Sequence, residues 1–369
     1  MKHFCINPYF SRSIHDNKDI RCCWLQSNTD IQKLQQDILA DRASTNCNKC
    51  WATEQVGLKS KRMIDNDNLQ RQTGLSLTQL KSWAENTPTA LNWQIQLSND
   101  CNLACKTCYA HDSTRWYTEW NHYHTRKFKK VIKIDAGIAD QLDYQHVKHI
   151  EFLGGEPFIN NLHVAYLERL MAAGNTDLLL TYTTNGVKLP GPAVLDILKN
   201  FSQVNINISL DGIGARFDYL RYPADWNTVS NNVTWYKKNS QFASVNCMHT
   251  LSNMTIGYLD EFLPWALQHF GVRGYNFNVV HNPSYFAPHV LPRHVKEEIA
   301  KRYRAHKMHV LLEPFLSMMD SEPVPFTLGR FVIQALRQDT FRNQRMRDYL
   351  PEIVFFDDSR PLRKRVSKT

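Results

Sequence analysis

Along residues 93–280, short apolar stretches alternate with segments in which apolar residues recur at helical spacing. Six stretches have the length and composition of strands: 93–97, 149–153, 178–183, 204–210, 244–250 and 275–280. Between two of them, Val229, Val233 and Tyr236 are spaced to share one face of a helix. This alternation is typical of repeated βα units and predicts an α/β fold, in which six strands fit a partial (β/α)6 barrel.

The first 60 residues have a different pattern, with five cysteines and one amphipathic helix. The apolar positions of that helix are Ile31, Leu34, Ile38 and Leu39, after a Thr29-x-x-Gln32 capping signal. A second short helix, around Leu77 and Leu80, leads to a polar linker at 85–89. We therefore predict a small cysteine-rich module with its linker at 1–88, a catalytic barrel at 89–290 and a helical C-terminal extension with a basic tail at 291–369.

The composition is that of a globular protein with a large core. At 369 residues and 43% hydrophobic content, the chain has room for one barrel-sized domain and a smaller module. No apolar run approaches the roughly 18 to 20 residues that span a bilayer, and the N-terminus lacks the apolar core of a secretion signal. These features predict a cytoplasmic protein that does not interact with membranes.

The net charge of +9 suggests nucleic acid as a partner, but its distribution offers another explanation. Five basic residues lie in the last ten positions: Arg360, Arg363, Lys364, Arg365 and Lys368. A solvated basic tail accounts for much of the surplus, so nucleic acid stays open as a substrate without being favoured.

Eight of the nine cysteines lie before residue 109, a distribution that favours metal binding over disulfides in a long chain without a secretion signal. Cys101, Cys105 and Cys108 follow the first predicted barrel strand as C-x-x-x-C-x-x-C. A [4Fe-4S] cluster held by three thiolates keeps one iron open for a small ligand, which indicates chemistry rather than a structural role. The alternatives are an incidental group of thiols and a zinc site completed by His111.

This spacing resembles that of the radical S-adenosylmethionine (SAM) enzymes, and three later stretches strengthen the resemblance. They are Gly154-Gly155-Glu156-Pro157, Thr183-Thr184-Asn185-Gly186 and Ser209-Leu-Asp211-Gly212, each at the end of a predicted strand. The resemblance implies that Cys101, Cys105 and Cys108 bind a catalytic [4Fe-4S] cluster. The SAM contacts that it implies are Gly154, Gly155, Glu156, Thr184, Asn185, Ser209, Asp211 and Arg221.

Arg221 follows Ser209 by twelve residues, and a hydroxyl with a planar guanidinium is a plausible pair for the SAM carboxylate. The alternative for Arg221 is a surface ion pair.

The N-terminal cysteines resemble the twitch module, a shortened SPASM module that holds an auxiliary iron-sulfur cluster. Four thiolates fully ligate one cluster, and five cysteines are available here. They are Cys5, the pair Cys22-Cys23, and the pair Cys47-Asn-Lys-Cys50. The family usually uses the first cysteine of such a pair, so the implied ligands are Cys5, Cys22, Cys47 and Cys50. In the family this module commonly follows the barrel, whereas here it precedes it. A four-thiolate zinc site is the alternative.

The resemblance implies that a reduced [4Fe-4S] cluster passes one electron to SAM, giving a 5′-deoxyadenosyl radical that removes hydrogen from a substrate. The implied substrate is a peptide or protein, with a small metabolite or an RNA base as alternatives, and the implied electron donor is a protein such as flavodoxin or ferredoxin. A hypothesis of another class is a zinc-stabilised nucleic-acid-binding protein, whose basic surface would use Arg337, Arg342, Arg345 and Arg347.

Overall fold

The computed structural model describes residues 2–15, 18–22, 25, 28–55, 57–86, 90–280, 282–320 and 326–356. The chain forms two compact units. Unit 1 comprises Met1–Asn102, Lys130–Ile208 and Thr234–Val245, and unit 2 comprises Leu103–Lys129, Ser209–Val233 and Asn246–Thr369. Among the described residues, no helix combines the length and the apolar character that crossing a bilayer requires.

The protein has a mixed α/β fold with an eight-stranded, mostly parallel sheet. The strands are β1 (Ser11–His15), β2 (Lys18–Ile20), β3 (Asn92–Gln96), β4 (His149–Leu153), β5 (Leu179–Thr184), β6 (Gln203–Ser209), β7 (Ala243–Leu251) and β8 (Tyr275–Val279). Their order in the sheet is β2-β1-β3-β4-β5-β6-β7-β8. From β3 onward the order follows the chain, as expected for successive right-handed βα units. The α/β fold predicted from the sequence is confirmed.

Helices connect the strands and continue after the last of them. They are α1 (Asn7–Phe10), α2 (Ile31–Leu39), α3 (Asn48–Gln55), α4 (Lys61–Thr73), α5 (Leu77–Asn86), α6 (Tyr117–Tyr123), α7 (Gly137–Asp140), α8 (Val164–Ala172), α9 (Pro192–Leu198), α10 (Gly214–Leu220), α11 (Trp226–Asn239), α12 (Leu259–Gly274), α13 (Arg293–Ala305), α14 (His309–Leu316) and α15 (Thr327–Arg342). The last three lie within residues 291–369.

The six strands predicted from the sequence correspond to β3–β8, with ends that differ by one residue at most. Sequence analysis missed β1 and β2. Strand β1 pairs in parallel with β3, so that Ser11 lies opposite Asn92 and Ile14 opposite Ile95. Its sequence, Ser-Arg-Ser-Ile-His, contains one aliphatic residue, and an apolar-run criterion therefore cannot detect it.

Two local predictions near the N-terminus are wrong. The residue that caps α2 is Asp30 rather than Thr29, because the Asp30 carboxylate accepts a hydrogen bond from the Lys33 N–H at 3.0 Å. The predicted linker at 85–89 begins too early, since Glu85 and Asn86 are the last residues of α5. The remaining linker positions, 87–89, lie outside the described residues.

In unit 1 the two faces of the sheet differ in polarity. Ile95, Phe152 and Tyr182 are fully buried on the face that packs against helices. On the other face, Gln94 Nε2 donates to Glu151 at 2.7 Å, and the Thr183 hydroxyl donates to the same carboxylate at 3.2 Å. Parallel sheets are usually apolar on both faces, so this hydrogen-bonded face is a departure from the usual pattern.

Candidate active site

In unit 1, Cys101 lies five residues after β3, and Asn185 lies directly after β5. The Asn185 Nδ2 atom is 3.8 Å from the Cys101 sulfur and 2.8 Å from Asn102 Oδ1. An amide N–H that points at a thiolate stabilises its charge and adjusts the redox properties of a bound cluster. The structure thus brings together two of the site residues predicted from sequence, which are 84 positions apart.

Gly154 and Gly155 follow β4 with φ values of +93° and +33°. A Cβ atom at either position would collide with backbone atoms, those of Ser98 at Gly154 and those of Asp100 at Gly155. Only glycine allows this backbone geometry and this close approach together. The two glycines therefore support the segment that leads to Cys101, a role that sequence analysis did not foresee.

Glu156 is 1% exposed, and its carboxylate is occupied by the chain itself. It accepts hydrogen bonds from the Thr184 hydroxyl at 2.8 Å and from the Asn185 N–H at 2.7 Å. A third hydrogen bond comes from the Phe158 N–H at 3.1 Å. Glu156 therefore orients the end of β5, and through it the Asn185 amide that faces Cys101.

In unit 2, the buried Cys105 and the partly buried Cys108 form an interacting thiol pair. The pKa of Cys105 is lowered, first by a hydrogen bond from the Cys108 thiol and further by the nearby Arg221 guanidinium, while burial opposes the shift. The pKa of Cys108 is raised well above its usual value by the same hydrogen bond and by burial. The two sulfurs are thus close enough to interact directly, as ligands of one compact centre must be.

Arg221 is 7% exposed and contacts this thiol pair. Its Nη1 atom is 3.9 Å from the Cys105 sulfur, and its Nε atom is 2.9 Å from Asp211 Oδ2. The alternative of a surface ion pair is wrong, because both partners are buried. Ser209, the last residue of β6, is also in unit 2, but the ion-pair partner of Arg221 is Asp211.

The loop that carries Cys105 is held by hydrogen bonds from outside the motif. The backbone N–H groups of Ala104 and Lys106 donate to the carbonyls of Tyr222 and Leu220 at 2.6 and 2.7 Å. The Trp116 indole N–H donates to the Cys105 carbonyl at 3.1 Å. The loop backbone is therefore fixed on both sides of a predicted cluster ligand.

Helix α15 also holds this loop, a function that sequence analysis missed. The Lys106 ammonium forms an ion pair with Asp339 at 2.6 Å, and Gln338 Nε2 donates to the Lys106 carbonyl at 2.9 Å. The Tyr219 hydroxyl donates to the same Asp339 oxygen at 2.9 Å. Lys106 and Asp339 are 233 positions apart, and no sequence signal connects them.

Asp339→Asn should lower the free energy of unfolding by about 3 kcal/mol, because it leaves Lys106 buried without a counter-ion. Burial lowers the pKa of Lys106 to about 7, which allows a neutral lysine to relieve part of the cost. Chemical denaturation under anaerobic conditions would measure the change. Asp196→Asn is the matched control, since its pair with Lys199 is exposed and should contribute less than about 1 kcal/mol. Similar losses in both variants would contradict this prediction.

The four N-terminal cysteines implied as auxiliary ligands line one cavity of unit 1. Cys5, Cys22, Cys47 and Cys50 surround it together with Arg62. Cys23, the other member of its pair, lies outside the described residues. Burial raises the pKa of Cys5 and raises that of Cys47 to about 11.

The donor set of this cavity fits a metal cluster. The Asn7 N–H lies against the Cys5 sulfur and the Arg62 N–H against the Cys50 sulfur, and each lowers the pKa of the thiol that it faces. Such N–H groups compensate thiolate charge around iron-sulfur clusters. Within the described residues, no three His, Cys, Asp or Glu side chains are arranged to hold a single metal ion.

The basic surface proposed for nucleic-acid binding is wrong in part. Arg342 is fully buried, its Nε atom donates to Glu119 at 2.8 Å, and its guanidinium lies over the rings of Trp116 and Tyr222. Arg345 forms an ion pair with Asp348. The basic tail lies outside the described residues.

Residues 95–266 match the model of the Radical SAM superfamily. This range contains the end of β3 and all of β4–β7, together with the three motif cysteines, the glycine turn, Asn185 and Arg221. Residues 95–266 are therefore similar to a radical SAM domain, as the resemblance in the sequence predicts.

Similar proteins include the 7-carboxy-7-deazaguanine synthase of Halobacterium salinarum, which is 34% identical over 89 residues, or 24% of this chain and 30% of that protein. Among solved structures, native anSMEcpe with bound AdoMet and the Cp18Cys peptide is 14% identical, with a TM-score of 0.39 and coverage of 62% of this chain and 61% of that one. SuiB of Streptococcus suis bound to SAM is 15% identical, with a TM-score of 0.36 and coverage of 70% of this chain and 59% of that one. The chain thus spans less than two thirds of these proteins.

Proposed function

We propose that this enzyme cleaves SAM reductively at a [4Fe-4S] cluster bound by Cys101, Cys105 and Cys108, and that it acts on a peptide or protein. The observation that carries the proposal is that all three cysteines lie within the matched residues 95–266, with nitrogen atoms of Asn185 and Arg221 facing two of the sulfurs. The cluster would supply the electron that breaks the sulfonium C–S bond of SAM, and the adenosyl fragment would remove hydrogen from the substrate.

The surrounding residues would shape the site. Gly154 and Gly155 would allow the backbone after β4 to lie close to SAM and to the segment before Cys101. Glu156 would orient Thr184 and Asn185 through its buried hydrogen bonds. Ser209 would offer a hydroxyl to the SAM carboxylate at the end of β6, and Asp211 would hold Arg221 in place.

A second, auxiliary [4Fe-4S] cluster would be bound by Cys5, Cys22, Cys47 and Cys50. Its support is the common cavity of the four thiols and the N–H groups that face two of their sulfurs. This cluster would accept the substrate electron or bind the substrate. A protein such as flavodoxin or ferredoxin would supply the electron for SAM cleavage.

The polar face of the sheet in unit 1 supports a peptide as the substrate. Ser13, Gln94, Glu151 and Thr183 form a continuous chain of hydrogen bonds across four strands. The Glu151 carboxylate accepts two hydrogen bonds there and can accept more, since a carboxylate has about four lone-pair sites. Donors and acceptors in such a row match the alternating N–H and C=O groups of a peptide backbone.

The test of SAM chemistry is an anaerobic experiment on the reconstituted full chain. We expect a brown protein that absorbs at about 400 nm because of thiolate-iron charge transfer. After reduction with dithionite, it should form 5′-deoxyadenosine from SAM. A colourless protein that contains zinc and forms no 5′-deoxyadenosine would contradict the proposal.

The substrate class can be tested without knowing the substrate. Extracts of source cells grown in deuterated medium are separated into peptides, small metabolites and RNA, and each fraction is incubated with enzyme and unlabelled SAM. The adenosyl fragment takes its hydrogen from the substrate, so we expect deuterium in 5′-deoxyadenosine only with the peptide fraction. Label from the metabolite or RNA fraction alone would assign the enzyme to another substrate class.

A further inference from the structure

Arg221 and Asp211 form a buried ion pair beside Cys105. The Nη1 atom of Arg221 is 3.9 Å from the Cys105 sulfur, while its Nε atom is 2.9 Å from Asp211 Oδ2. Both residues are at least nine-tenths buried. A charge that is shielded from water acts strongly on its neighbours, because little solvent screens it.

The surrounding chain fixes the position of both charges. The Thr250 N–H donates to Asp211 Oδ1 at 2.8 Å, and the Tyr258 hydroxyl donates to the Asp211 carbonyl at 3.0 Å. The Arg221 N–H donates to the Phe217 carbonyl at 2.8 Å, at the C-terminal end of α10. The guanidinium is therefore held against a cysteine sulfur rather than free to swing towards a ligand.

We propose that this pair sets the reduction potential of the [4Fe-4S] cluster, with Arg221 raising it and Asp211 lowering it. The inference rests on the proposed function, since it requires the cluster at Cys105. Reduction adds one electron to a cluster that is already anionic through its thiolates. A cation at a ligand sulfur stabilises the reduced state more than the oxidised state, and an anion does the opposite.

This function differs from the one that the sequence suggests for Arg221, contact with the SAM carboxylate. A SAM contact changes SAM affinity and has no effect on a cluster without SAM. An electrostatic effect on the cluster is present when SAM is absent. The potential of the SAM-free cluster therefore distinguishes the two functions.

The experiment is a redox titration monitored by electron paramagnetic resonance, without SAM and with dithionite as the reductant. It uses the full chain with Cys47→Ala and Cys50→Ala, so that an auxiliary cluster does not contribute to the signal. We expect Arg221→Gln to shift the midpoint potential to more negative values and Asp211→Asn to shift it to more positive values. Opposite shifts cannot come from a shared packing defect.

Two further variants complete the design. Arg221→Lys keeps the positive charge and should have a potential close to that of the parent protein. Arg216→Gln is the matched control, because Arg216 lies in α10, which ends just before Arg221, but forms its ion pairs with Glu261 and Glu352. Iron content is measured first for every variant. If Arg221→Gln loses the cluster, the midpoint potentials of Asp211→Asn and Arg221→Lys still test the inference.

An unchanged potential in Asp211→Asn and Arg221→Gln, or shifts of the same sign in both, would overturn the inference. Weaker SAM binding in Arg221→Gln with an unchanged potential would assign Arg221 to the SAM carboxylate instead. Failure of the proposed function would look different, because the parent protein itself would then lack a cluster that dithionite reduces.

Discussion

Replacing Cys101, Cys105 and Cys108 with Ala should abolish the formation of 5′-deoxyadenosine from SAM. In the proposed site each thiolate would bind one iron of the cluster, and the fourth iron would stay open for SAM. Without the cluster no electron would reach the sulfonium group. The expected effect is the complete loss of SAM cleavage, and each single Ala variant should lose it as well. Liquid chromatography of anaerobic reactions with dithionite measures the product directly.

Cys247→Ala is the matched control for this experiment. Cys247 is fully buried in β7, distant in sequence from every cysteine motif, and the sequence predicts that it packs as a small apolar residue. This variant should retain both its iron and SAM cleavage. SAM cleavage at the parent rate by the triple variant would refute the central assignment of the three motif cysteines.

Cys47→Ala with Cys50→Ala should reduce the iron content from about eight to about four atoms per chain, because each cubane holds four irons. SAM cleavage should persist, since the motif cysteines are unchanged. The expected difference is large because losing two of four ligands leaves a cubane with two unprotected irons. Iron analysis and 5′-deoxyadenosine formation on the same sample measure both quantities.

Two outcomes would contradict the auxiliary cluster. Equal iron in the parent and in the double variant would remove it from the description of this enzyme. Zinc in the parent protein, lost in the double variant while iron is unchanged, would instead identify the cavity of Cys5, Cys22, Cys47 and Cys50 as a zinc site.

The strands of the barrel region and the motif cysteines follow from local sequence, and for a physical reason. A short apolar stretch of strand length is a property of the segment itself and can be recognised without knowledge of the fold. Strands β3–β8 were therefore predictable within one residue at each end. Strand β1 was not, because its burial comes from pairing with β3, more than 75 residues away.

The sequence did not predict the hydrogen-bond partners of the motif residues, even where it identified those residues. Glu156 belongs to a recognisable motif, but only the fold decides that its carboxylate binds Thr184 and Asn185. From its sequence position, Arg221 could equally contact SAM, solvent or another residue. Folding places it between Asp211 and the Cys105 sulfur. A side chain at a fixed position along the chain has many reachable neighbours, and packing selects among them.

The sequence by itself determined the class of fold and showed the resemblance to radical SAM enzymes with its candidate ligand cysteines, because strand periodicity and ligand spacing are properties of short segments. Only the tertiary structure decided which distant groups support them. It placed Asp339 of α15 against Lys106 of the cysteine loop, and it placed Cys5 and Cys22 in one cavity with Cys47 and Cys50. Those contacts join residues far apart in the chain, and their energies come from burial and charge pairing that no single segment contains.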